Sequence, residues 1–476
     1  MLKFDQSEKK ILKPVYDFAK YRRVKLYLVG GVLRDKLIGR VKENPDFDFA
    51  IKKGAIKFGE ALAKKLKCGF VVLDKEHGAC RLVKRITDKT YTFDFTDFRG
   101  VDLASDLKHR DFTINSLALE LEKVFLDIDL NQCLFDSCKA KEDILKKNIR
   151  VINNKSFSDD PLRILRAFSF ACILDFEIDN RTLKLASLGR NSIKDISGER
   201  IRDELFKVFD SNKTYVCLAR LNKLKILEII FPEIKKMRGI GQGPYHHLDV
   251  EQHTLESIKQ LEEILKGIKN PDIREYLSLD ISSGRKRYSL LKLAALLHDI
   301  GKPKTLRKIK GRTTFHGHER VGLDIAKGIF KRLKLSNDEA YSLHKMILWH
   351  LRPGYLADTE NPTARAKFRY FRDAGIEALS ILILSLADQR ATKGPLTTKK
   401  ARIQHEKVIG KLIREYIKKS KIKKKERLID GHAIMKKFNL EPSRLIGKLL
   451  KELEELQAIG KIKTREEAFK ACEKLL

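Results

Sequence analysis

The sequence lacks the cysteine patterns that define disulfide-rich and zinc-binding proteins. It has seven cysteines, but no Cys-x-x-Cys pair and no repeated spacing. Cys68, Cys172 and Cys217 lie in apolar stretches, and Cys133 and Cys138 have no second pair to complete a metal site. This pattern excludes a disulfide framework and predicts reduced thiols in a cytoplasmic protein.

The sequence also lacks a secretion signal and a membrane span. Its N-terminus, MLKFDQSEKK, has charged residues where a signal peptide needs an apolar run. Its most apolar stretches, such as LKLAALL at 291–297, are far too short to cross a bilayer. We therefore expect a protein that does not associate with a membrane.

Acidic residues are few relative to basic ones. Lys and Arg total 99 against 64 Asp and Glu, which gives a formal net charge of +35. Such an excess favours a polyanionic partner, because neutralising phosphates releases condensed counterions, although a solubilising surface explains it equally well. A basic run at 418–427, KKSKIKKKER, has the same two interpretations, a solvated helix or a patch that follows phosphates.

The length of 476 residues exceeds one ordinary core, and the composition is that of a globular chain. Short stretches rich in aromatic or β-branched residues predict strands at 26–31, 46–51, 70–74 and 90–98, with an amphipathic helix at 55–67. After about residue 139, helical periodicity takes over. The predicted fold is α+β, a mixed-sheet head followed by an all-helical body. The expected domains are a catalytic head at 1–138, a helical neck at 139–240, a metal-binding domain at 241–400, and a basic linker with a C-terminal helical module at 401–476.

A strand in the head runs into a glycine pair that could approach phosphate. At Gly30 and Gly31 the missing Cβ would let backbone N–H groups come close to an anion. The following helix carries Arg34 and Asp35, and its N-terminus would add positive potential.

Three carboxylates on predicted strands form a candidate metal site. Asp46 and Asp48 are two residues apart, so both side chains point to one face of a strand. Asp94 falls on a later strand and could supply a third ligand. Adjacent carboxylates repel each other unless a cation binds between them. Mg²⁺ is the cation that the attack of a 3′-hydroxyl on a nucleoside triphosphate requires.

This ordered set of motifs resembles the class II tRNA nucleotidyltransferase and bacterial poly(A) polymerase family, members of the polymerase-β-like superfamily. Three further blocks agree, the first being RDFTINSLAL at 110–119. The resemblance implies that Arg110 and Asp111 hold the geometry of triphosphate and metal, and that Asn115 braces the sheet.

The second block, DDPLRILRAF at 159–168, is similar to the family's base-selecting motif. The resemblance implies that Asp160 and Arg163 pair with the Watson–Crick edges of ATP or CTP, with Arg166 one turn on. The third block, GERIRDELFKVF at 198–209, is similar to the neck helix, whose polar positions are Glu199, Arg200 and Glu204.

The link from Arg99 to Arg110 is short. Many family members that add a full CCA end carry a longer loop there, and short links resemble members that add only CC or only A. The resemblance therefore implies template-independent addition of CCA, CC or A to a tRNA 3′ end. Poly(A) polymerase activity on other RNAs remains an alternative, because the two activities share these motifs.

The helical body contains a pattern that resembles the HD phosphohydrolase superfamily. His253 is followed by the doublet of His298 and Asp299 and later by Asp388. Imidazole and carboxylate suit a divalent metal, which the sequence does not identify. His316, His318 and His350 are further histidines in this region.

Such a domain could hydrolyse a phosphomonoester or a 2′,3′-cyclic phosphate, or it could be a scaffold. A third hypothesis is therefore a phosphohydrolase whose head only binds RNA. The closing segment resembles the C-terminal helical module of HD-bearing members, either gripping tRNA or packing against the body. The sequence gives no oligomeric state.

Overall fold

The computed structural model describes residues 2–41, 45–420 and 426–476, so residues 421–425 of the basic run lie outside the described residues. The chain divides into two compact units, residues 1–196 and 197–476. All seven cysteines are free thiols. Within the described ranges, no helix is long and apolar enough to cross a membrane.

The first unit is built on a mixed seven-stranded sheet with the order β3-β4-β5-β2-β1-β6-β7. Strands β2 and β5 are parallel, and the other neighbouring strands are antiparallel. The strands are β1 (Tyr27–Val29), β2 (Asp46–Ile51), β3 (Gly69–Asp74), β4 (Ala79–Ile86), β5 (Lys89–Asp97), β6 (Leu117–Glu120) and β7 (Phe135–Asp136).

Alternating residues on the two parallel strands form the centre of this sheet. Phe47 and Phe49 on β2 stack on Phe93 and Phe95 of β5, with ring centroids 5.9 and 4.9 Å apart. All four rings are buried, so the residues between them project from the opposite face. The strands predicted at 26–31, 46–51, 70–74 and 90–98 are confirmed, and β4, β6 and β7 of this sheet are additional.

Helices pack against this sheet and form the rest of the first unit. The predicted helix at 55–67 is confirmed, and its Gly59 lies so close to β4 that a Cβ would sit 2.5 Å from Cys80 Sγ. The helices of the unit are α1 (Gln6–Tyr21), α2 (Gly31–Leu37), α3 (Ala55–Leu66), α4 (Leu103–Lys108), α5 (Ala140–Leu145), α6 (Ser156–Asp159), α7 (Leu162–Leu174) and α8 (Asn180–Gly189). Two short parallel strands, β8 (Asn148–Ile149) and β9 (Glu177–Ile178), complete it together with 3₁₀ turns at Thr113–Asn115, Leu121–Phe125 and Arg190–Asp195.

The second unit is almost entirely helical, as the periodicity predicts. Its first helices are α9 (Gly198–Asp210), α10 (Thr214–Lys223), α11 (Leu227–Ile230), α12 (Val250–Gly267), α13 (Pro271–Ser278), α14 (Arg287–Leu297), α15 (Lys302–Thr305) and α16 (His318–Arg332). The later ones are α17 (Asn337–Trp349), α18 (Arg352–Ala357), α19 (Ala364–Ala374), α20 (Ala378–Ala391), α21 (Lys399–Ser420), α22 (Gly431–Phe438), α23 (Arg444–Ala458) and α24 (Arg465–Glu473). Two hairpins, β10 (Asp280–Ser282) with β11 (Arg285–Lys286) and β12 (Arg307–Ile309) with β13 (Arg312–Thr314), and 3₁₀ turns at Ile234–Met237 and Gly375–Glu377 lie between them.

The last three helices form a separate apolar core within this unit. Ile434 on α22, Leu449 on α23 and Cys472 on α24 are among its buried residues. The module is attached to α19 through charge, because Arg369 Nε donates to the buried Glu455 at 2.8 Å.

Candidate functional site

The three carboxylates predicted in the head lie on one face of the sheet. Asp46 and Asp48 alternate with the buried Phe47 and Phe49 along β2, so both project from the opposite face. In the parallel register of β2 and β5, Asp48 is paired directly with Asp94. The structure therefore places the three predicted carboxylates on one face of the sheet and pairs two of them, Asp48 and Asp94.

A positively charged residue that the sequence patterns did not reveal lies beside these carboxylates. It is Arg81 on β4, which is directly opposite Asp94 on β5. Its Nε donates to Asp94 Oδ1 at 2.8 Å and its Nη2 to Oδ2 at 2.7 Å. Hydrogen bonding to Asp94 raises the pKa of Arg81, with smaller contributions from Asp46 and Asp48. The only sequence signal for Arg81 is its place on a strand, because its partner is fixed by register.

The turn between β1 and α2 comes close to the carboxylates. Gly30 has φ +74°, and a Cβ there would lie 3.5 Å from Asp48 Oδ2 and 3.2 Å from Arg110 Nη1. The Gly30 N–H donates to Leu117 O at 3.3 Å, which ties the turn to β6. Gly31 begins α2. A glycine is needed at position 30 both for this backbone conformation and for the close approach.

Arg34 and Asp35 are buried and begin a hydrogen-bonded chain behind the site. Arg34 Nε and Nη2 donate to Asp35 Oδ1 at 2.9 and 2.7 Å, and Arg34 Nη1 donates to Asn115 Oδ1. Asn115 Nδ2 donates to Asp111 Oδ1 at 2.9 Å, and Arg166 Nη2 lies 2.7 Å from Asp111 Oδ2. The guanidinium of Arg34 is thus hydrogen-bonded to other side chains of the protein, Asp35 and Asn115.

Asp111 is the junction of this chain. Burial opposes its ionisation, but Arg166, the Asn115 amide and the N–H of Phe112 outweigh burial and lower the pKa of the Asp111 carboxyl. An ionised Asp111 fixes Arg166 at the wall of the cleft.

The predicted base-selecting residues lie at the start of α7. The Asp160 carboxylate accepts the N–H of Leu162 at 3.2 Å. Arg163 Nη1 donates to Ser156 Oγ at 3.1 Å, and Nη2 donates to His109 O at 2.9 Å. Burial lowers the pKa of Arg163. These bonds hold the guanidinium in one orientation.

A cleft of about 340 Å³ is lined by seven of the predicted head residues, and the structure adds Thr96, Arg99 and Asp106. The other predicted head residues are not part of this lining, namely Asp46, Gly30, Gly31, Arg34, Asp35 and Asn115. The residues that line the cleft are Asp48, Asp94, Thr96, Arg99, Asp106, Arg110, Asp111, Asp160, Arg163 and Arg166.

The four residues of the predicted HD pattern converge in the second unit. His253 lies in the first turn of α12, His298 and Asp299 follow α14, and Asp388 lies on α20. His253 Nε2 is 2.9 Å from Asp388 Oδ1 and 3.6 Å from Asp299 Oδ2, and His298 Nε2 is 3.2 Å from Asp299 Oδ2. Helices far apart in sequence thus bring the predicted ligands within reach of one ion.

Two histidines extend this cluster on the other oxygen of Asp299. His318 Nε2 lies 3.3 Å from Asp299 Oδ1, and His350 Nε2 lies 3.9 Å from the same atom. The two Nε2 atoms are 3.2 Å apart. Both groups, His253 with His298 and Asp299, and His318 with His350 and Asp299, are buried and compact enough to hold a metal ion.

The tautomers of these imidazoles fit a metal. The Nδ1 atoms of His298, His318 and His350 lie 2.7–2.9 Å from the carbonyls of Ala295, Phe315 and Ile347. Because a carbonyl only accepts, Nδ1 carries the proton, and a neutral ring presents its Nε2 lone pair to the carboxylates. A cation bound between the Nε2 atoms and the carboxylate oxygens would remove the repulsion between their lone pairs.

The electrostatics of the cluster call for the same cation. Burial lowers the pKa of His298, but Asp299 and Asp388 outweigh it and raise the pKa to about 10, so without a metal ion this imidazole takes up a second proton and is neutral only when a metal replaces that proton. Burial, followed by His298 and His318, lowers the pKa of His350 to about 3. Asp299 Oδ2 also lies 2.6 Å from Lys302 Nζ, which supplies part of the positive charge that the carboxylates require. The residues present therefore suit a divalent metal.

Three families match successive parts of the chain. Residues 26–150 match the model of the poly A polymerase head domain. Residues 175–237 match the probable RNA- and SrmB-binding site of polymerase A, and residues 250–393 match the HD domain. In this order of parts the chain resembles the tRNA nucleotidyltransferase and poly(A) polymerase family, with an HD domain behind the RNA-binding segment.

The similar proteins span nearly the whole chain. An A-adding tRNA nucleotidyltransferase of Deinococcus radiodurans is 29% identical, over 93% of this chain and 93% of that protein. A CC-adding tRNA nucleotidyltransferase of Synechocystis is 26% identical, over 94% and 93%. A solved structure of a CCA-adding enzyme with ATP superposes with a TM-score of 0.65 at 19% identity, over 98% of this chain and 95% of that one. The structural match confirms the predicted fold.

Some features of this chain were not evident from the sequence. Phe170 on α7 lies between two arginines of the head, with Arg34 and Arg166 at 5.1 and 5.3 Å from its ring centroid. The short link folds into α4, where Asp106 accepts the N–H of Arg99 at 3.1 Å. Helical spacing indicates that Phe170 follows Arg166 on one face, but not that it contacts Arg34.

Lys302 is the corresponding unpredicted residue of the HD domain. Its Nζ lies 2.6 Å from Asp299 Oδ2 and 2.6 Å from Gln242 Oε1. Its spacing of three residues from Asp299 at the end of an apolar helix is a signal that could have identified it.

A pocket of about 420 Å³ opens beside the HD cluster. Asp388 and His350 form part of its wall, and the other polar residues are mostly uncharged. The lining residues are Tyr245, His350, Leu351, Gly354, Ala357, Asp358, Ser385, Asp388, Gln389, Thr392, Leu396, Thr397, Ala401, Gln404 and His405.

One wall of this pocket depends on a glycine. The Gly394 N–H donates to Tyr245 O at 2.7 Å, and a Cβ on Gly394 would lie 2.2–2.4 Å from backbone atoms of Pro244, Tyr245 and His246. The segments around residues 244 and 394 can pack this closely only because position 394 has no side chain.

Proposed function

We propose that this protein transfers nucleotides from CTP or ATP to the 3′ end of tRNA without a template. The pairing of Asp48 with Asp94 in the parallel register of β2 and β5, in a cleft bordered by arginines, carries this proposal. The relatives from Deinococcus radiodurans and Synechocystis, which match over nearly their full lengths, are both named tRNA nucleotidyltransferases.

In this reaction Asp46, Asp48 and Asp94 would hold Mg²⁺. The ions would lower the pKa of the attacking hydroxyl and neutralise the pyrophosphate leaving group. Arg110 and Arg166, at the wall of the cleft, would bind the triphosphate, whose charge matches theirs. Gly30 allows the turn to approach the triphosphate, and Gly31 begins the helix behind it.

Arg34, Asp35 and Asn115 would act through Asp111. Their hydrogen bonds end on the Asp111 carboxylate, which holds Arg166. We assign them to positioning rather than to direct contact with the triphosphate.

Base selection would fall to Asp160 and Arg163. A carboxylate and a guanidinium present an acceptor and donors side by side, which can match the polar edge of cytosine or adenine. The bonds of Arg163 to Ser156 and His109 fix its orientation, so that the pair would serve as a rigid template.

We further propose that the protein adds only part of the CCA end. The link from Arg99 to Arg110 is short and folded into α4. The full-length relatives are named as A-adding or CC-adding proteins. Separately, we keep as a proposal the domain boundaries predicted from the sequence, at residues 138, 240 and 400.

The test is nucleotide addition to three tRNA transcripts that end before CCA, after the first C, and after CC. Each transcript is incubated with CTP, with ATP and with both. Arrest at CC, or addition of A only to the transcript that ends in CC, is the expected result. A complete CCA end on the shortest transcript would overturn partial addition, and long A tails on unrelated RNA would indicate a poly(A) polymerase.

A second candidate function is metal-dependent phosphohydrolysis by the HD domain. The pocket beside Asp388 and His350 favours it, because a scaffold has no need of a cavity that opens on buried metal ligands. His253, His298 and Asp388 would share one ion with Asp299, and His318 and His350 could hold another on its second oxygen. Release of nitrophenol from p-nitrophenyl phosphate with Mn²⁺, Ni²⁺ or Co²⁺ tests the activity. No turnover with any of these metals, in protein shown to contain the metal, would favour a scaffold.

A further inference from the structure

Asp94 is already held by a cation in this structure. Arg81 engages both carboxylate oxygens, Oδ1 through Nε at 2.8 Å and Oδ2 through Nη2 at 2.7 Å. Sheet register fixes the pair, because Arg81 is directly opposite Asp94 on one side and Asp48 is directly opposite it on the other. The contact therefore follows from strand pairing and not from a surface rotamer alone.

The position of Arg81 bears on metal binding. Three carboxylates share this face of the sheet, and their mutual repulsion is reduced by a positive charge among them. A metal ion reduces it in the same way. Mg²⁺ demands close contact with its oxygen ligands, at about 2.0–2.1 Å, so a fork of two N–H donors on the same oxygens competes with it.

Arg81 is also free to move away. Its side chain is 45% exposed, against 19% for Asp94. The neighbours on the same face, Val71 opposite it on β3 and Val83 two residues along β4, are exposed as well. The guanidinium can turn outward to water without disturbing the core.

Resting on the nucleotidyl transfer proposed for the head, we propose that Arg81 is a positioning residue that occupies Asp94 as a stand-in for a divalent metal. Metal and nucleoside triphosphate then enter the head together. The triphosphate brings additional oxygen ligands and negative charge, which offset the loss of the Arg81–Asp94 bond. Binding of each therefore strengthens binding of the other, and the coupling is reciprocal.

The test measures Mn²⁺ binding to the full chain, with and without a non-hydrolysable CTP analogue. Arg81→Gln is compared with the wild type and with Arg85→Gln. Arg85 is a matched control, because it is exposed on the same face of β4 but is opposite Thr90 instead of a carboxylate. The HD cluster contributes equally to all three proteins, and Asp46→Ala with Asp48→Ala identifies the binding that belongs to the head.

We expect Arg81→Gln to bind Mn²⁺ at the head about 2-fold to 5-fold more tightly without nucleotide, as loss of a partly exposed ion pair predicts. The gain that the analogue produces should shrink by the same factor. Arg81→Lys keeps the positive charge but loses the pair of N–H donors, so its affinity for Mn²⁺ should lie between those of the wild type and Arg81→Gln.

Unchanged or weaker Mn²⁺ binding in Arg81→Gln, with Arg85→Gln like the wild type, would overturn the proposal. A wild type that binds metal and nucleotide with the expected coupling but adds nothing to tRNA would instead contradict the proposed function.

Discussion

The head cleft and the HD centre both collect carboxylates, but they surround them with different partners. In the head, Asp48 and Asp94 are partly exposed on a sheet face, and arginines border them. In the HD domain, Asp299 is buried and meets imidazole nitrogens on both of its oxygens. A cation bound in the head would be in contact with solvent, whereas His253, His298 and Asp299, which would bind a cation in the HD centre, are buried.

This difference indicates what each site is built to do. A site that receives a nucleotide and an RNA end must open, and part of its charge can be balanced by the exposed guanidinium of Arg81 until the substrates arrive. Buried imidazoles and carboxylates cannot rely on water, so their balance depends on resident positive charge, including that of Lys302. We expect perturbations to separate the two sites cleanly.

The largest effect should follow from removing the carboxylates of β2. Asp46→Ala with Asp48→Ala should lower nucleotide incorporation by about 10³-fold or more, since metal stabilisation of the transition state is worth several kcal/mol. RNA binding should be nearly unchanged in a filter-binding assay. Glu60→Ala with Glu76→Ala, two exposed carboxylates of the same unit, is the control. Incorporation by the double aspartate variant would show that the site is elsewhere.

The next effect concerns the HD centre. Asp299→Asn and His298→Ala should lower metal retention by about 10-fold to 100-fold, because each removes charge or a ligand from the cluster. Elemental analysis after gel filtration measures the metal. Nucleotide addition should stay at the wild-type rate in both variants. A parallel loss of addition would mean that the two sites are coupled and that the contrast between them fails.

A smaller effect should follow from Gly394→Ala. The new Cβ would meet the backbone around Tyr245, so the wall of the HD pocket must move at a cost of about 1–3 kcal/mol. Hydrolysis of p-nitrophenyl phosphate, if present, should fall about 10-fold, while nucleotide addition is retained. Gly328→Ala is the control, because nothing lies within 4 Å of its Cβ position. Equal behaviour of the two variants would contradict the role of this contact.

The smallest effect compares two glycines of the head with similar positive φ angles. Gly30 has φ +74° and Gly39 has φ +71°, but only Gly30 faces neighbours, Arg110 and Asp48. Each substitution by alanine should lower the free energy of unfolding by about 1 kcal/mol. Only Gly30→Ala should also slow nucleotide addition, by roughly 10-fold, through displaced groups in the cleft. Thermal melts and initial rates separate strain from crowding, and an equally slow Gly39→Ala would remove the distinction.

Local patterns predicted a large part of the head. The alternation of Phe47, Asp48 and Phe49 predicts both a strand and the face on which the carboxylate lies, because the period of a strand is two residues. The family resemblance and the α+β fold are confirmed. The resemblance to the HD superfamily assigned His253, His298, Asp299 and Asp388 to one site, although no local rule brings helices 90 residues apart together.

Other contacts could not be predicted because they depend on register or packing. Arg81 meets Asp94 only through the pairing of β4 with β5. Phe170 on α7 meets Arg34 on α2 through a contact between helices far apart in sequence, and Arg163 donates to a carbonyl of a different segment, that of His109. The second side of Asp299, with His318 and His350, likewise emerges from helix packing.

The sequence by itself determined which residue types are available and in what order, since strand period, helix period and glycine conformation are local properties. It thereby determined the family resemblance, the fold and the carboxylates of the head. Only the tertiary structure decided which polar groups meet: Arg81 with Asp94, Arg34 with Asn115, and imidazoles on both oxygens of Asp299. These pairings depend on strand register and helix packing, which are set by the burial of the whole core and not by any one segment.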